Sequence, residues 1–160
     1  MPANAPSPGF TLVELMVTLA VLAILSTLAA PMFGDLIQRS KVDAASGELA
    51  HLLQYARSEA ITRASAVTVT AGSGNWVGAL SVATSSETLR QYGSEGINGG
   101  SAVTATGSAS SLTFRAAGTL SGAAQSIRLC PSSGSSGSSG RLLSISSSGQ
   151  ITSTTAECSS

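Results

Sequence analysis

Glu14 is a carboxylate set inside an apolar run. The segment Leu12 to Phe33 reads LVELMVTLAVLAILSTLAAPMF and holds no other charged residue. A carboxylate in hydrocarbon costs several kcal/mol unless it finds a partner. The residues just before it suggest one. A cut between Gly9 and Phe10 would create a positive α-amino group four residues ahead of Glu14. In a packed array of such helices, the amine of one chain would neutralise Glu14 of its neighbour.

The other chemistry-bearing residues are few. Cys130 and Cys158 both lie in the C-terminal quarter. On the far side of a membrane segment they suggest one disulfide, the other reading being two unrelated thiols. The single histidine, His51, falls among polar residues of a helical pattern and reads as a solvated face. Beyond Ala64 there is no histidine, and the only acids are Glu87, Glu95 and Glu157. Serines abound there, but no base is evident to activate one, so no enzyme is expected. No Cys or His cluster has metal-ligand spacing, and no cofactor is implied. Net charge is zero with 10% charged residues, which gives no sign of a nucleic-acid binder. Arg115, Arg128 and Arg141 are the candidates for a small basic patch. Scattered, solvated arginines are the plainer reading of the three.

Elements must position these groups. The apolar run is long enough for a bilayer core, which needs about 20 residues. A cleaved secretory signal would need a basic leader, and Met1 to Gly9 has no Lys or Arg. A plain anchor leaves Glu14 unexplained, and a Ser-rich chain of this size has little with which to bury such a helix on all sides. Past Pro31, which removes one backbone hydrogen bond, the pattern becomes amphipathic. Val42, Ala45, Leu49, Leu52, Ala56 and Ala60 recur at three- and four-residue steps. Arg39, Lys41, Asp43, His51, Gln54 and Arg57 lie mainly between them.

After Ala64 the pattern shifts to short runs punctuated by Gly and Ser. Strands are expected at Ala66–Ala71, Trp76–Ala83, Val103–Thr106, Leu112–Arg115, Ser126–Cys130, Arg141–Ser146 and Gln150–Ser153. Short links favour antiparallel pairing, which gives an α+β fold: a long N-terminal helix packed on an antiparallel β-sheet head. Ser132–Gly140, SSGSSGSSG, reads as a flexible loop; it has neither the lysine nor the following helix of a phosphate cradle. The expected organisation is a leader over 1–9, a transmembrane helix half over 10–33, an amphipathic half over 34–64 and a β-rich head over 65–160.

Gly9-Phe10-Thr11-Leu12-Val13-Glu14, followed by the apolar helix, resembles the processing signal of type IV prepilins and type II secretion pseudopilins. The leader MPANAPSPG departs from it in lacking a basic residue. Ala56-Arg57-Ser58-Glu59-Ala60-Ile61-Thr62-Arg63 with Val67-Thr68-Val69 is similar to the helix end and first strand of the GspH/FimT branch of minor pilins. Arg128-Leu129-Cys130, Gly140-Arg141-Leu142, Ser148-Gly149-Gln150-Ile151 and Cys158 resemble that branch's last strands and cysteine pair.

The resemblance implies cleavage between Gly9 and Phe10 by a prepilin peptidase, with methylation of the Phe10 amine. It implies assembly through Glu14 and Pro31, a Cys130–Cys158 disulfide, and a periplasmic head held by a single inner-membrane span until it enters a filament. The implied partners are other major and minor pilins or pseudopilins, the assembly platform, the peptidase and membrane lipid. A type IV pilus subunit that primes or caps the filament is the first expectation, and a type II secretion pseudopilin of the H type the second. Some members of the branch capture DNA through a glycine-arginine-x-arginine motif. Here Gly149-Gln150-Ile151-Thr152 stands at that place without either arginine, so DNA is not an expected partner, and a DNA-binding minor pilin of natural transformation is the third expectation.

Overall fold

The computed structural model describes residues 9–97, 102–133 and 138–158, leaving out the side chains of 28–32. One helix, α1 (Leu12–Thr62), precedes eight strands. The chain divides into two compact units, residues 1–37 and 38–160.

In the first unit every described residue from Gly9 to Thr27 is exposed. The apolar side chains there are exposed, Leu12 by 73% and Ile24 by 65%. Among the described residues no helix is long and apolar enough to cross a membrane. Pro31 lies within α1, but its side chain is outside the described residues.

In the second unit the amphipathic stretch does what its periodicity predicts. Val42, Ala45, Leu49, Leu52, Ala56 and Ala60 are all buried, joined by Leu53. His51, Lys41 and Gln54 face solvent. Alanines along the buried stripe let strand backbones approach the helix closely.

Two four-stranded antiparallel sheets enclose that stripe. The first has the order β3-β2-β1-β5, from β1 (Val67–Ala71), β2 (Leu80–Ala83), β3 (Thr88–Tyr92) and β5 (Ser111–Phe114). The second has the order β4-β6-β7-β8, from β4 (Val103–Gly107), β6 (Gln125–Pro131), β7 (Ser139–Ile145) and β8 (Ile151–Glu157). Alternate residues point inward, as the two-residue strand period requires. Val67 and Val69, Leu80 and Val82, Leu112 and Phe114, Ile127 and Leu129, and Leu143 and Ile145 all join one core with α1.

The strands differ from expectation in four places. The run Trp76–Ala83 is a strand only from Leu80. Its first half is a loop whose Trp76 is fully buried, with Nε1 donating to Ala109 O at 3.0 Å. β3 had no counterpart in the sequence reading, because Thr88–Tyr92 buries none of its residues fully. β7 begins at Ser139, so the Ser/Gly run 132–140 ends inside a strand; residues 134–137 are outside the described set. β8 continues to Glu157, four residues past the expected Ser153, because β7 supplies a register partner at each step.

Candidate functional site

Thr11 sets the start of α1. Its carbonyl accepts from Leu15 N at 3.2 Å and its hydroxyl accepts from Glu14 N at 3.2 Å. Thr-x-x-Glu is the capping-box pattern, so Thr11 occupies the cap position and Glu14 the third helical position. The cap is a role the sequence reading did not give Thr11, although the four-residue spacing carries the signal. Glu14 thus sits in the first helical turn, where the helix dipole favours an acid. Gly9 and Phe10 lie outside the helix and are exposed. The candidate scissile bond therefore ends at Phe10, one residue before Thr11, whose carbonyl accepts a hydrogen bond from the first helical turns.

In the head, Cys130 and Cys158 are bonded, with Cα atoms 5.9 Å apart. Cys130 belongs to β6 and Cys158 follows β8, so the bridge passes over β7, which lies between them. The pleat explains how. Leu129 faces the core opposite Arg141, so Cys130 and Gly140 face outward. A β-carbon on Gly140 would lie 2.5 Å from Cys158 Sγ and 3.2 Å from Cys130 Sγ. Only a residue without a side chain fits beneath the bridge.

The three candidate arginines do not share a face. Arg128 and Leu142 are register partners on the outer face of the second sheet, whereas Arg141 lies on the face that meets α1. There Arg141 Nε donates to Asp43 Oδ1 at 2.7 Å. Arg115 follows β5 of the other sheet. The pleat thus separates the basic residues that a patch would need to combine.

A fourth arginine, read from the sequence only as a polar position on the helix, ties the head together. Arg57 Nε donates to Gly118 O at 2.9 Å and its Nη2 to Ser148 O at 3.3 Å. Gly149, at φ +79°, packs so closely that a β-carbon would lie 3.0 Å from Arg57 Nε. The segments Ala56–Ala60 and Ser148–Ile151, noted separately in the sequence, therefore meet through this side chain. Its position between helical core residues carried no sign of the two distant carbonyls.

A long helix with an apolar, capped start, running into a disulfide-closed antiparallel head, is the architecture of a type IV pilin-like subunit. The comparisons agree. The sequence model described as the prokaryotic N-terminal methylation motif matches residues 7–30. That described as type II transport protein GspH matches residues 45–149. The chain belongs to this GspH family of pilin-like structural proteins.

Among solved structures it is similar to the type IV minor pilin FimU of Pseudomonas aeruginosa, in two crystal forms. One shows 32% identity over 71% of this chain and 87% of that chain, with a TM-score of 0.61. The other shows 32% identity over 70% and 91%, with a TM-score of 0.58. Among curated proteins it is similar to the type IV major alpha-pilin of Moraxella bovis, at 48% identity over 42 residues. It is also similar to fimbrial protein Q of the same organism, at 45% over 42 residues. The chain spans about a quarter of the length of these curated relatives, 26% and 27%.

Two predictions concern the head. Replacing both cysteines by serine should lower its stability by about 3 kcal/mol in the chain-entropy view of loop closure. Gly140→Ala should leave the two thiols alkylatable, as peptide mapping without reductant would register. The second prediction concerns Asp43, whose pKa is lowered chiefly by the hydrogen bond from Arg141. Its contribution is complete above the ordinary carboxylate value of 3.8 and is lost as pH falls through the lowered folded-state value. Half-exposed side chains limit the pair to roughly 0.2–1 kcal/mol. Asp43→Asn should therefore lower the melting temperature slightly at neutral pH and not at all at strongly acid pH.

Proposed function

We propose that the chain is a minor structural subunit of a type IV pilus. It is made as a precursor and cut between Gly9 and Phe10 by a prepilin peptidase, with methylation of the new Phe10 amine. It rests as a single inner-membrane span over residues 10–33 with a periplasmic head. It then passes through the inner-membrane assembly platform into a filament of major and minor pilins, which it primes or caps. The observation that carries this reading is the likeness of the head to the minor pilin FimU over 87% of that chain.

The exposed apolar helix start supports the same reading. Without a neighbour or lipid, its surface is large and unpartnered. Glu14 is then the group that distinguishes the two environments. In a monomer it stays near the interface, and in the filament it meets the Phe10 amine of an adjacent subunit. Pro31 is assigned to the same helix packing. One observation favours a second reading, an H-type pseudopilin of a type II secretion filament: the matching family model is described as a type II transport protein. Both readings use the same processing and the same helix. The genes beside this one, for a pilus or for a secretion system, discriminate between them.

Intact mass of the protein from native membranes should show loss of residues 1–9 and gain of one methyl group. Recovery of the mature pool with Met1 still attached would sink the processing step, and Gly9→Ala should block the cut. Glu14→Leu removes a carboxylate that lipid disfavours, so insertion should be normal or better. Entry into sheared filaments should fall sharply, because the buried amine of a neighbour loses its counter-charge. Wild-type levels of Glu14→Leu in that fraction would mean that Glu14 makes no such pair.

A further inference from the structure

The two sheets have four edges, and among the described residues three are guarded. The free side of β5 is closed by the chain that follows it: Leu120 bridges Phe114, and Ser121 N donates to Thr113 O at 2.7 Å. The free side of β4 is closed by the Trp76 loop: Asn75 bridges Thr106, and Trp76 N donates to Ala105 O at 3.0 Å. β3 carries Arg90 and pairs with β2 through an irregularity between Val82 and Ala83. Charge and irregularity are two devices that keep a foreign strand from adding to an edge.

β8 has neither. It pairs with β7 in unbroken register over seven residues, from Ser139↔Glu157 to Ile145↔Ile151. It contains no proline, lysine or arginine. The hydrogen bonds at its two ends fix which backbone groups face outward. Ser146 N donates to Gln150 O at 2.9 Å, and Cys158 N donates to Ser138 O at 3.0 Å. Antiparallel ladders bond at alternate residue pairs. Thr152, Thr154 and Ala156 therefore bond β7, and Ser153 and Thr155 turn their N–H and C=O groups to the open side. Both are exposed.

We propose that this edge is a docking strand, extended by a segment of a neighbouring pilin-type head in the same filament. The inference rests on the filament reading above. Two observations choose the occupant. A seven-residue strand is about 24 Å long, and pairing along it covers far less than the roughly 1,200 Å² of a free-standing interface. Such an edge suits a partner already tethered alongside, where effective concentration reaches about the millimolar range. The edge is uncharged from Ile151 to Ala156 and ends on Glu157. The incoming segment is therefore extended and uncharged, with a lysine or arginine at the Glu157 end. Backbone groups supply the attraction, as in other cases of strand addition.

The test uses the full chain in cells that make the filament. Ser153→Pro with Thr155→Pro removes two outward N–H donors and leaves the backbone bonds to β7 in place. It also removes the side-chain contacts of Ser153 with Ser46 and of Thr155 with Arg141. Ser153→Ala with Thr155→Ala, which loses those contacts and keeps both N–H donors, should enter filaments as the unaltered chain does. The proline variant should reach the membrane with its disulfide formed and be depleted about tenfold from sheared filaments, as two lost hydrogen bonds imply. In an otherwise unaltered chain, a photo-crosslinking side chain at Thr154 should yield an adduct with another pilin-type subunit. Wild-type incorporation of the proline variant, or a Thr154 probe that gives no adduct or one with a different protein, overturns the proposal. If the proline variant fails to form its disulfide, the probe alone decides. Absence of the unaltered chain from filaments overturns the filament reading itself and removes the occupant with it.

Discussion

The head depends on one stripe of α1 being narrow enough for two sheets to close over it. Ala45, Ala56 and Ala60 are fully buried beside Leu49, Leu52 and Leu53. The small residues set how near a strand backbone can come, and the leucines fill the space between. Larger side chains at the alanines would push the sheets away and open voids around Phe114 and Trp76, which packed interiors do not tolerate. The two sheets share no strand, so the helix and the Trp76 loop are what make them one core.

Polar contacts then fix where each sheet lies along the stripe. Arg141 reaches Asp43 from the second sheet. Arg57 holds the loops at Gly118 and Ser148. Arg63 pairs with Glu59 in its own helix and with Glu87 just before β3. Arg90 of β3 lies over the ring of Tyr55, 4.7 Å from its centre. None is individually strong at its exposure. Together they spread along the helix and stop the sheets from sliding on a greasy, featureless stripe. Of the three arginines that read as scattered charge in the sequence, Arg141 is such a fastener.

What the sequence disclosed follows the burial it reports. The six helix positions at three- and four-residue spacing are all buried, because that spacing is written by the core itself. Inner strands such as β1 and β6 alternate cleanly for the same reason. Edge strands escape notice: β3 and the end of β8 bury almost nothing, so no alternation marks them. Trp76 misled in the opposite direction, since an apolar pair beside a strand is buried without belonging to one. The cysteine pairing and the α+β architecture were legible. The Thr11 cap was written in the sequence as Thr-x-x-Glu but competes there with the apolar helix for attention. The Arg57 contacts were not legible at all, because their partners are backbone carbonyls more than sixty residues away.

The glycine beneath the disulfide has a consequence for how the chain matures. The bridge joins β6 to the chain after β8, with β7 passing between them. The thiols meet only when both hairpins have formed and Gly140 lies between them. A one-residue slip of β8 along β7 would turn Cys158 to the opposite face of the sheet and carry it away from Cys130. Only a chain whose last strand is in register brings the two thiols together, so the bridge records the correct pairing of β8 with β7.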